Sequence, residues 1–188
     1  MAPKVKITKA EIISAALELV RKEGASALGS RSLAAALGCS TQPIFSNFSC
    51  MEELEGHVIS AAYELYSSFL SAEAESGKYP RYKAYGIAYI RFAREERELF
   101  KLLFMRDRLG EESIASPDFC ESVKMIMQAN GISEKSATLM HLEIWAFVHG
   151  IASMIATSFY NPEQELIAKM TSDIYSSLRE KFIKEENK

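Results

Sequence analysis

The 188-residue sequence predicts an all-α protein, and three observations carry that expectation. Apolar residues recur at three- and four-residue spacing through most of the chain, which is the period of one helix face. Thr8 and Glu11 form a capping pair at the start of the first such run, where a hydroxyl and a carboxylate satisfy free backbone N–H groups. Gly24 and Gly38 stand at the ends of two runs, where a left-handed backbone is common.

Three short helices are expected within the first 50 residues. Helix one ends at Gly24 and acts as a scaffold for the two that follow. Residues 32–37 are small or apolar and favour a second helix, which Gly38 ends. We expect Ser40 to be the N-cap of a third helix, with Pro43 in its first turn. Such a unit is a helix-turn-helix, although the stretch taken alone equally fits an αα-hairpin that only packs.

The third helix offers polar side chains to a DNA major groove. Arg31 stands in the first turn of the preceding helix, where it and free N–H groups can bind a phosphate; a solvated surface arginine is the alternative. Lys4 and Lys6 suit an arm that contacts DNA, or a disordered terminus. The candidate DNA-binding residues are Lys4, Lys6, Arg31, Ser40, Thr41, Gln42, Pro43, Phe45, Ser46 and Asn47.

The distribution of charge favours contact with phosphates at one end of the chain. The formal net charge is −3. Residues 1–50 hold six basic and three acidic residues, a net +3, so the remainder carries −6. A basic head and an acidic body suit a nucleic-acid-binding protein, with chance clustering as the alternative.

The remainder predicts a larger helical domain. A long helix is expected from Ser49, with Glu52 as its capping partner, to about Glu75; at ~1.5 Å per residue it is about 35 Å long and joins the two domains. Aromatic and apolar residues then recur at helical spacing over 82–105. A polar loop is expected over 106–116, after which Pro117 opens another helix.

Two long helices are expected at the end of the chain. The first, with Ser133 as N-cap, runs to about Tyr160 and is apolar nearly all round. The second is expected to have Asn161 as N-cap and Pro162 at its first position. Because one monomer would expose too much apolar surface, we expect these helices to pair with their copies as a four-helix bundle in a homodimer.

Motif spacing argues against catalysis. The sequence has no GxSxG, GxxxxGK[ST] or HExxH pattern, its histidines do not cluster, and its three cysteines show no CxxC spacing. We therefore expect no enzymatic activity, no metal and no cofactor. The N-terminus lacks the apolar stretch of a secretion signal, and the apolar stretch 144–159 is interrupted by polar residues, so a cytoplasmic protein without a membrane partner is expected.

Two parts of the sequence resemble the TetR family of transcriptional regulators. The N-terminal marks are Ile12, Ala15, Ala16, Leu19, Gly24, Leu33, Ala34, Gly38, Ser40, Phe45, Phe48, Glu53 and Leu54. A looser match to one branch of the family rests on Phe92, Ala93, Arg94, Leu99, Phe100, Trp145, Val148, His149 and Gly150. The family usually has tyrosine in place of Phe45, histidine in place of Asn47 and lysine in place of Met51, and each change removes or alters a phosphate donor.

The resemblance implies a helix-turn-helix DNA-binding domain at 1–50 and a helical effector-binding and dimerisation domain at 51–188. It implies a repressor that leaves a double-stranded DNA operator when a small-molecule effector binds. Phe45, Met51 and the acidic total keep open a helical ligand-binding or protein-interaction module with weakened DNA binding.

Aromatic residues of the helical domain are candidates for a ligand pocket. Aromatic stripes are more often core than pocket, and His149 is more simply explained by a hydrogen bond within the core. The candidate pocket residues are Tyr66, Phe69, Tyr89, Phe104, Trp145 and His149.

Overall fold

The computed structural model describes residues 7–107 and 117–187. Within these ranges every regular element is helical and no strand occurs, which confirms the predicted all-α fold class. A 3₁₀ turn spans Ala25–Ala27. The α-helices are α1 (Lys9–Glu23), α2 (Ser30–Ala36), α3 (Gln42–Asn47), α4 (Met51–Glu75), α5 (Arg81–Glu95), α6 (Arg97–Phe104), α7 (Pro117–Asn130), α8 (Glu134–Ala156) and α9 (Gln164–Glu186).

The chain forms two compact units. The first comprises Met1–Ser68 and Glu95–Arg106, and the second comprises Phe69–Arg94 and Asp107–Lys188. The first part of α4 therefore belongs to one unit and its last turns to the other. The predicted division at residue 50 assigns DNA binding to residues 1–50, and effector binding and dimerisation to residues 51–188. This division stays a prediction. Most of the predicted loop 106–116 lies outside the described residues.

The first unit is built on α1, which packs against α2, α3 and α6. The capping box predicted at the start of α1 is confirmed: Thr8 Oγ1 accepts a hydrogen bond from Glu11 N–H, and Glu11 Oε2 accepts one from Thr8 N–H at 2.8 Å. These hydrogen bonds lower the pKa of Glu11. Gly24 ends α1 with φ +86°. The buried apolar side chains of this unit include Ile12, Ala16, Val20, Leu33, Ile44, Leu54, Val58, Leu99 and Phe100.

The start of α4 differs from the predicted cap. Glu53, rather than Glu52, accepts hydrogen bonds from both the N–H and the Oγ of Ser49, each at 2.8 Å. α4 begins at Met51, so Glu53 stands on its third residue, where its carboxylate can return to the residues before the helix. These two bonds, followed by one from Lys9, lower the pKa of Glu53 to about 2.

In the second unit α8 packs against α7 and α9. Ser133 is the N-cap of α8, as predicted, and accepts a hydrogen bond from Ser136 N–H. The helix ends at Ala156, four residues before the predicted end, and Ser158 follows with φ +59°. The buried side chains of this unit include Ala84, Ile87, Phe92, Ile126, Met140, Ile144, Val148, Ile151, Ile155, Ile167 and Phe182.

The predicted start of α9 is wrong. The helix begins at Gln164 after Glu163, and Asn161 and Pro162 precede it outside the helix. The Arg94 guanidinium donates from Nε to Asn161 Oδ1 at 3.0 Å and from Nη2 to Pro162 O at 2.7 Å. The Asn161 side chain is thus used in a contact with α5 instead of capping a helix.

Among the described residues, α8 is the one helix long and apolar enough to cross a membrane on length and composition. The mean hydropathy of its most apolar 18-residue window is 1.4, and 44% of that window is buried inside the protein. A buried core helix gives the same signal, which is therefore weak evidence for a membrane span.

Candidate functional site

The turn between α2 and α3 is built by backbone hydrogen bonds. Gly38, with φ +64°, donates to Ala35 O at 3.1 Å, and Cys39 N–H donates to Ala34 O at 3.0 Å. This pair of bonds is the Schellman arrangement, in which a left-handed residue satisfies the last carbonyls of a helix. The predicted end of the second helix at Gly38 is confirmed, and the turn sets the direction of α3.

α3 has six residues and follows Thr41, not Ser40. The predicted N-cap at Ser40 is therefore wrong. Thr41 has right-handed helical backbone angles and no side-chain capping bond, and its carbonyl accepts from Ile44 and Phe45 N–H. Pro43 lies in the first turn, as predicted. Ile44 is completely buried and fixes α3 to the unit by one side.

The opposite side of α3 is exposed. Gln42, Phe45 and Ser46 lie on it, and Phe45 is 50% exposed. The Gln42 side chain makes no hydrogen bond within the described residues, whereas Ser46 Oγ donates to Gln42 O at 2.8 Å. The carbonyl oxygen and the NH2 group of the Gln42 side chain are therefore both available to hydrogen-bond a base edge.

Asn47 has a different environment from the other candidates on α3. It is half-buried, and its Nδ2 donates to Pro43 O at 2.8 Å and to Ile7 O at 3.5 Å. The second contact holds the segment before α1 close to the end of α3. Asn47 therefore positions the start of α1, and its amide N–H groups are already engaged.

Arg31 is exposed in the first turn of α2, as predicted. The turn is ordered by Ser32, whose Oγ accepts from Gly29 N–H at 3.1 Å and donates to Ala27 O at 2.6 Å. Exposed Ser40 and half-buried Thr41 lie in the turn before α3. Lys4 and Lys6 lie outside the described residues.

In the second unit a polar relay links α5 to α8. The Tyr89 hydroxyl lies 2.8 Å from His149 Nδ1, and Ser153 Oγ lies 3.3 Å from His149 Nε2. Trp145 stacks on the imidazole with ring centroids 5.3 Å apart and an interplanar angle of 19°. Burial lowers the pKa of His149, which favours the neutral imidazole. Tyr89 is 5% exposed and Trp145 is 40% exposed, so the relay runs from the core to the surface.

A second tyrosine and histidine pair joins the same two helices and was not predicted from the sequence. The Tyr82 hydroxyl lies 2.8 Å from His141 Nδ1, and the Phe119 ring stands edge-on to the imidazole at 4.8 Å. Burial raises the pKa of Tyr82 and lowers that of His141 to about 4. The matching spacings, seven residues between the tyrosines and eight between the histidines, are the sequence signal for this pair.

The remaining pocket candidates lie in two aromatic groups. Within the first unit, the Tyr66 ring stands edge-on to Phe104 at 5.2 Å. Within the second, Phe69 stands edge-on to Phe92 at 5.2 Å, and the Arg91 guanidinium lies 5.0 Å from the Phe69 ring. In the described residues no three His, Cys, Asp or Glu side chains are grouped to hold a metal ion. A ligand role for the six candidates stays a prediction.

The first unit thus contains a helix-turn-helix formed by α2 and α3, and the second unit is helical. Residues 82–172 match the model of the tetracyclin repressor-like C-terminal domain. No curated protein matches the chain. The domain match supports the predicted resemblance to the TetR family over residues 82–172. The family suggests a ligand-responsive transcription regulator, and its members are generally not enzymes.

Two solved structures are similar over nearly their whole length. One is a protein with unknown function from Rhodococcus sp. RHA1, with 21% identity and a TM-score of 0.73, covering 95% of this chain and 100% of that chain. The other is a TetR variant from Acinetobacter baumannii AYE in complex with minocycline, with 17% identity and a TM-score of 0.59, covering 96% and 99%. At these identities the similarity establishes the fold alone.

Proposed function

We propose that the protein is a transcriptional repressor that binds a double-stranded DNA operator as a homodimer and leaves it when a small molecule binds. The observation that supports this most is the construction of α3. Buried Ile44 and the Gly38 turn hold the helix rigidly, while its other side presents Gln42 and Ser46 to solvent. A short helix with one anchored and one polar, exposed side is suited to enter a major groove.

On DNA, Gln42 reads a base edge, and Ser46, Thr41 and the N–H groups before α3 contact the backbone. Arg31 binds a phosphate beside the N-terminus of α2. In a dimer, two copies of α3 separated by about one helical turn, roughly 34 Å, enter successive major grooves. The operator is therefore expected to be palindromic.

The dimer is proposed to form through α8 and α9. Along α9 an apolar stripe at four-residue spacing stays exposed or half-buried: Leu166, Met170, Ile174 and Leu178. Ile167, Thr171 and Phe182 are buried and fix the other side of α9 within the unit. On α8, Leu139 is 48% exposed. A second copy would cover apolar surface that one chain leaves in water.

The effector is proposed to bind in the helical region, against Tyr89, Trp145, His149 and the neighbouring aromatic side chains. The polar relay gives hydrogen-bonding groups within apolar walls, the composition typical of small-molecule sites. The Acinetobacter structure was determined with minocycline, which is a property of that protein. A ligand releases the operator only if it binds the DNA-free conformation more tightly than the DNA-bound one.

Selection of duplexes from a random pool tests the DNA-binding proposal. Enriched sequences are then titrated with the full-length protein by fluorescence anisotropy at low and physiological salt. We expect a palindrome, with an affinity that falls as salt rises. Enrichment of no sequence would contradict the proposal and favour a ligand-binding or protein-interaction module, which the engaged Asn47 amide also favours.

Light scattering during size-exclusion chromatography tests the dimer. Ile174→Glu places a charge in the α9 stripe and is expected to yield monomers, because burying an unpaired carboxylate is costly. Ser176→Glu, at an exposed position on the same helix, is the control and should remain dimeric. A monomeric wild-type protein at micromolar concentration would contradict this interface.

A further inference from the structure

The exposed side of α3 combines an aromatic ring with an unbonded amide. Gln42, Phe45 and Ser46 stand at positions i, i+3 and i+4, which share one face of a helix. Phe45 is 50% exposed, and among the residues that the structure describes its ring pairs with no other aromatic ring and no cation. Gln42 is exposed one turn before it. This side of α3 therefore presents an apolar group next to a hydrogen-bonding group.

The exposure of Phe45 follows from the way α3 is anchored. Ile44, the preceding residue, is completely buried, and Pro43 fixes the backbone of the first turn. Phe45 N–H donates to Thr41 O at 3.3 Å, so the residue belongs to the regular part of the helix. A rotation of α3 that buried the Phe45 ring would bring the Ile44 side chain into water. The ring is thus held at the surface, where only a binding partner can cover it.

The chemistry of this side chain differs from that of the tyrosine usual at its position in the family that the sequence resembles. A tyrosine hydroxyl can bond a phosphate, whereas a phenylalanine ring offers neither a donor nor an acceptor. In the major groove, thymine is the one standard base that presents an apolar group, the C5-methyl group, and phenylalanine is one of the side chains suited to contact it. The base 5-methylcytosine carries the same group on the same ring carbon. Phe45 is therefore matched to a base edge and not to the DNA backbone.

We propose that Phe45 is a specificity-determining residue that contacts the C5-methyl group of a pyrimidine in the operator, an inference that rests on the proposed DNA-binding function. Side chains one helical turn apart have Cβ atoms about 5–6 Å from one another. Successive bases of a strand are about 3.4 Å apart along the DNA axis, so Gln42 and Phe45 contact the same base pair or adjacent pairs. Because glutamine pairs with the N6 and N7 edge of adenine, each half-site is expected to hold an adenine and a methylated pyrimidine at this step.

Replacement of single thymines by 2′-deoxyuridine in an enriched duplex tests the contact in anisotropy titrations of the full-length protein. Deoxyuridine lacks only the C5-methyl group and keeps every hydrogen-bonding group of the base. We expect one position per half-site at which the replacement lowers affinity about fourfold, as for the loss of one buried methyl-sized group, and about 16-fold when both half-sites are changed.

Two protein variants assign the effect to Phe45. In Phe45→Ala the double replacement should change affinity by less than about twofold, the usual error of additivity between independent sites, because the shortened side chain does not reach the base. Tyr63→Ala is the matched control: Tyr63 is an exposed aromatic residue of the same unit, 38% exposed, but it lies on α4. This variant should keep the full effect of deoxyuridine.

A second pair of duplexes distinguishes the two sources of the methyl group. Cytosine and 5-methylcytosine are compared at the position that the thymine replacements identify. Tighter binding of the methylated duplex, lost in Phe45→Ala, would support the proposal and add 5-methylcytosine as a source, whereas an effect confined to thymine would support it with thymine alone.

Two results would overturn the proposal while leaving operator binding intact. One is the absence of a methyl effect in both pairs of duplexes, and the other is an equal effect in wild type and Phe45→Ala. Enrichment of no duplex would instead refute the proposed function, and the role of Phe45 would fall with it.

Discussion

Acidification below pH 6.5 should destabilise the second unit, and His141 should account for most of the loss. The side chain is 9% exposed, and burial lowers its pKa from 6.5 to about 4. The folded state therefore favours the neutral imidazole, while the unfolded chain takes up a proton below its ordinary pKa. The stabilisation is complete above pH 6.5 and is lost as the pH falls toward 4. At ~1.4 kcal/mol per pH unit, the loss reaches about 2 kcal/mol at pH 5.

Urea unfolding at fixed protein concentration measures this loss. Trp145 is the single tryptophan of the chain and lies on the same helix as His141, so its fluorescence follows the second unit. His141→Gln keeps a polar group beside Tyr82 but does not titrate, and its stability should fall much less between pH 6.5 and 5. A smaller loss should remain, because burial also lowers the pKa of His149. Equal losses in wild type and His141→Gln would refute the assignment; His57→Gln, in the first unit, is the control.

Three further substitutions test the first unit. Gln42→Ala should weaken binding to a selected operator by about 1–3 kcal/mol and leave random duplexes unaffected in anisotropy titrations; equal losses would exclude base recognition. Asn47→Ala should weaken binding to both kinds of duplex by about 1 kcal/mol, because it releases Ile7 O; a loss restricted to the operator would contradict a positioning role. Gly38→Ala should destabilise the protein by about 1 kcal/mol because its φ is positive, whereas Gly56→Ala, inside α4, should stabilise it by about 0.5–1 kcal/mol in thermal unfolding.

Helix ends fixed by neighbouring residues could be predicted from the sequence, and those that depend on distant contacts could not. Thr8 and Glu11 are three residues apart and satisfy one another, so the pattern was sufficient. Asn161 has the composition of an N-cap, but Arg94, 67 residues earlier in the chain, binds its side chain. Glu53 stands next to the predicted partner Glu52, and a one-residue choice between two carboxylates is not encoded in the capping pattern.

The candidate sites follow the same division. Helical spacing and the family resemblance placed Tyr89 and His149 among the functional candidates without indicating that they bond one another. The pairing depends on the register between α5 and α8. The bond between Tyr82 and His141 fixes the same register at a second point. A third close approach lies at Gly86, where a Cβ would lie 3.6 Å from Val148. Register between distant helices is a property of packing that no local pattern contains.

Fewer basic side chains of the first 50 residues are available to DNA than the net charge of this segment suggests. Lys9 Nζ lies 3.2 Å from Glu53 Oε1, and Arg21 is held by buried Glu96. Both carboxylates come from later in the sequence, and a Glu53 pKa of about 2 keeps that charge in place at any physiological pH. Of the described cations in residues 1–50, Lys22 and Arg31 remain, and Arg31 is the one in the first turn of α2. Because each phosphate contact contributes about −0.9 to the slope of log affinity against log salt, a shallow salt dependence would be compatible with operator recognition by this protein.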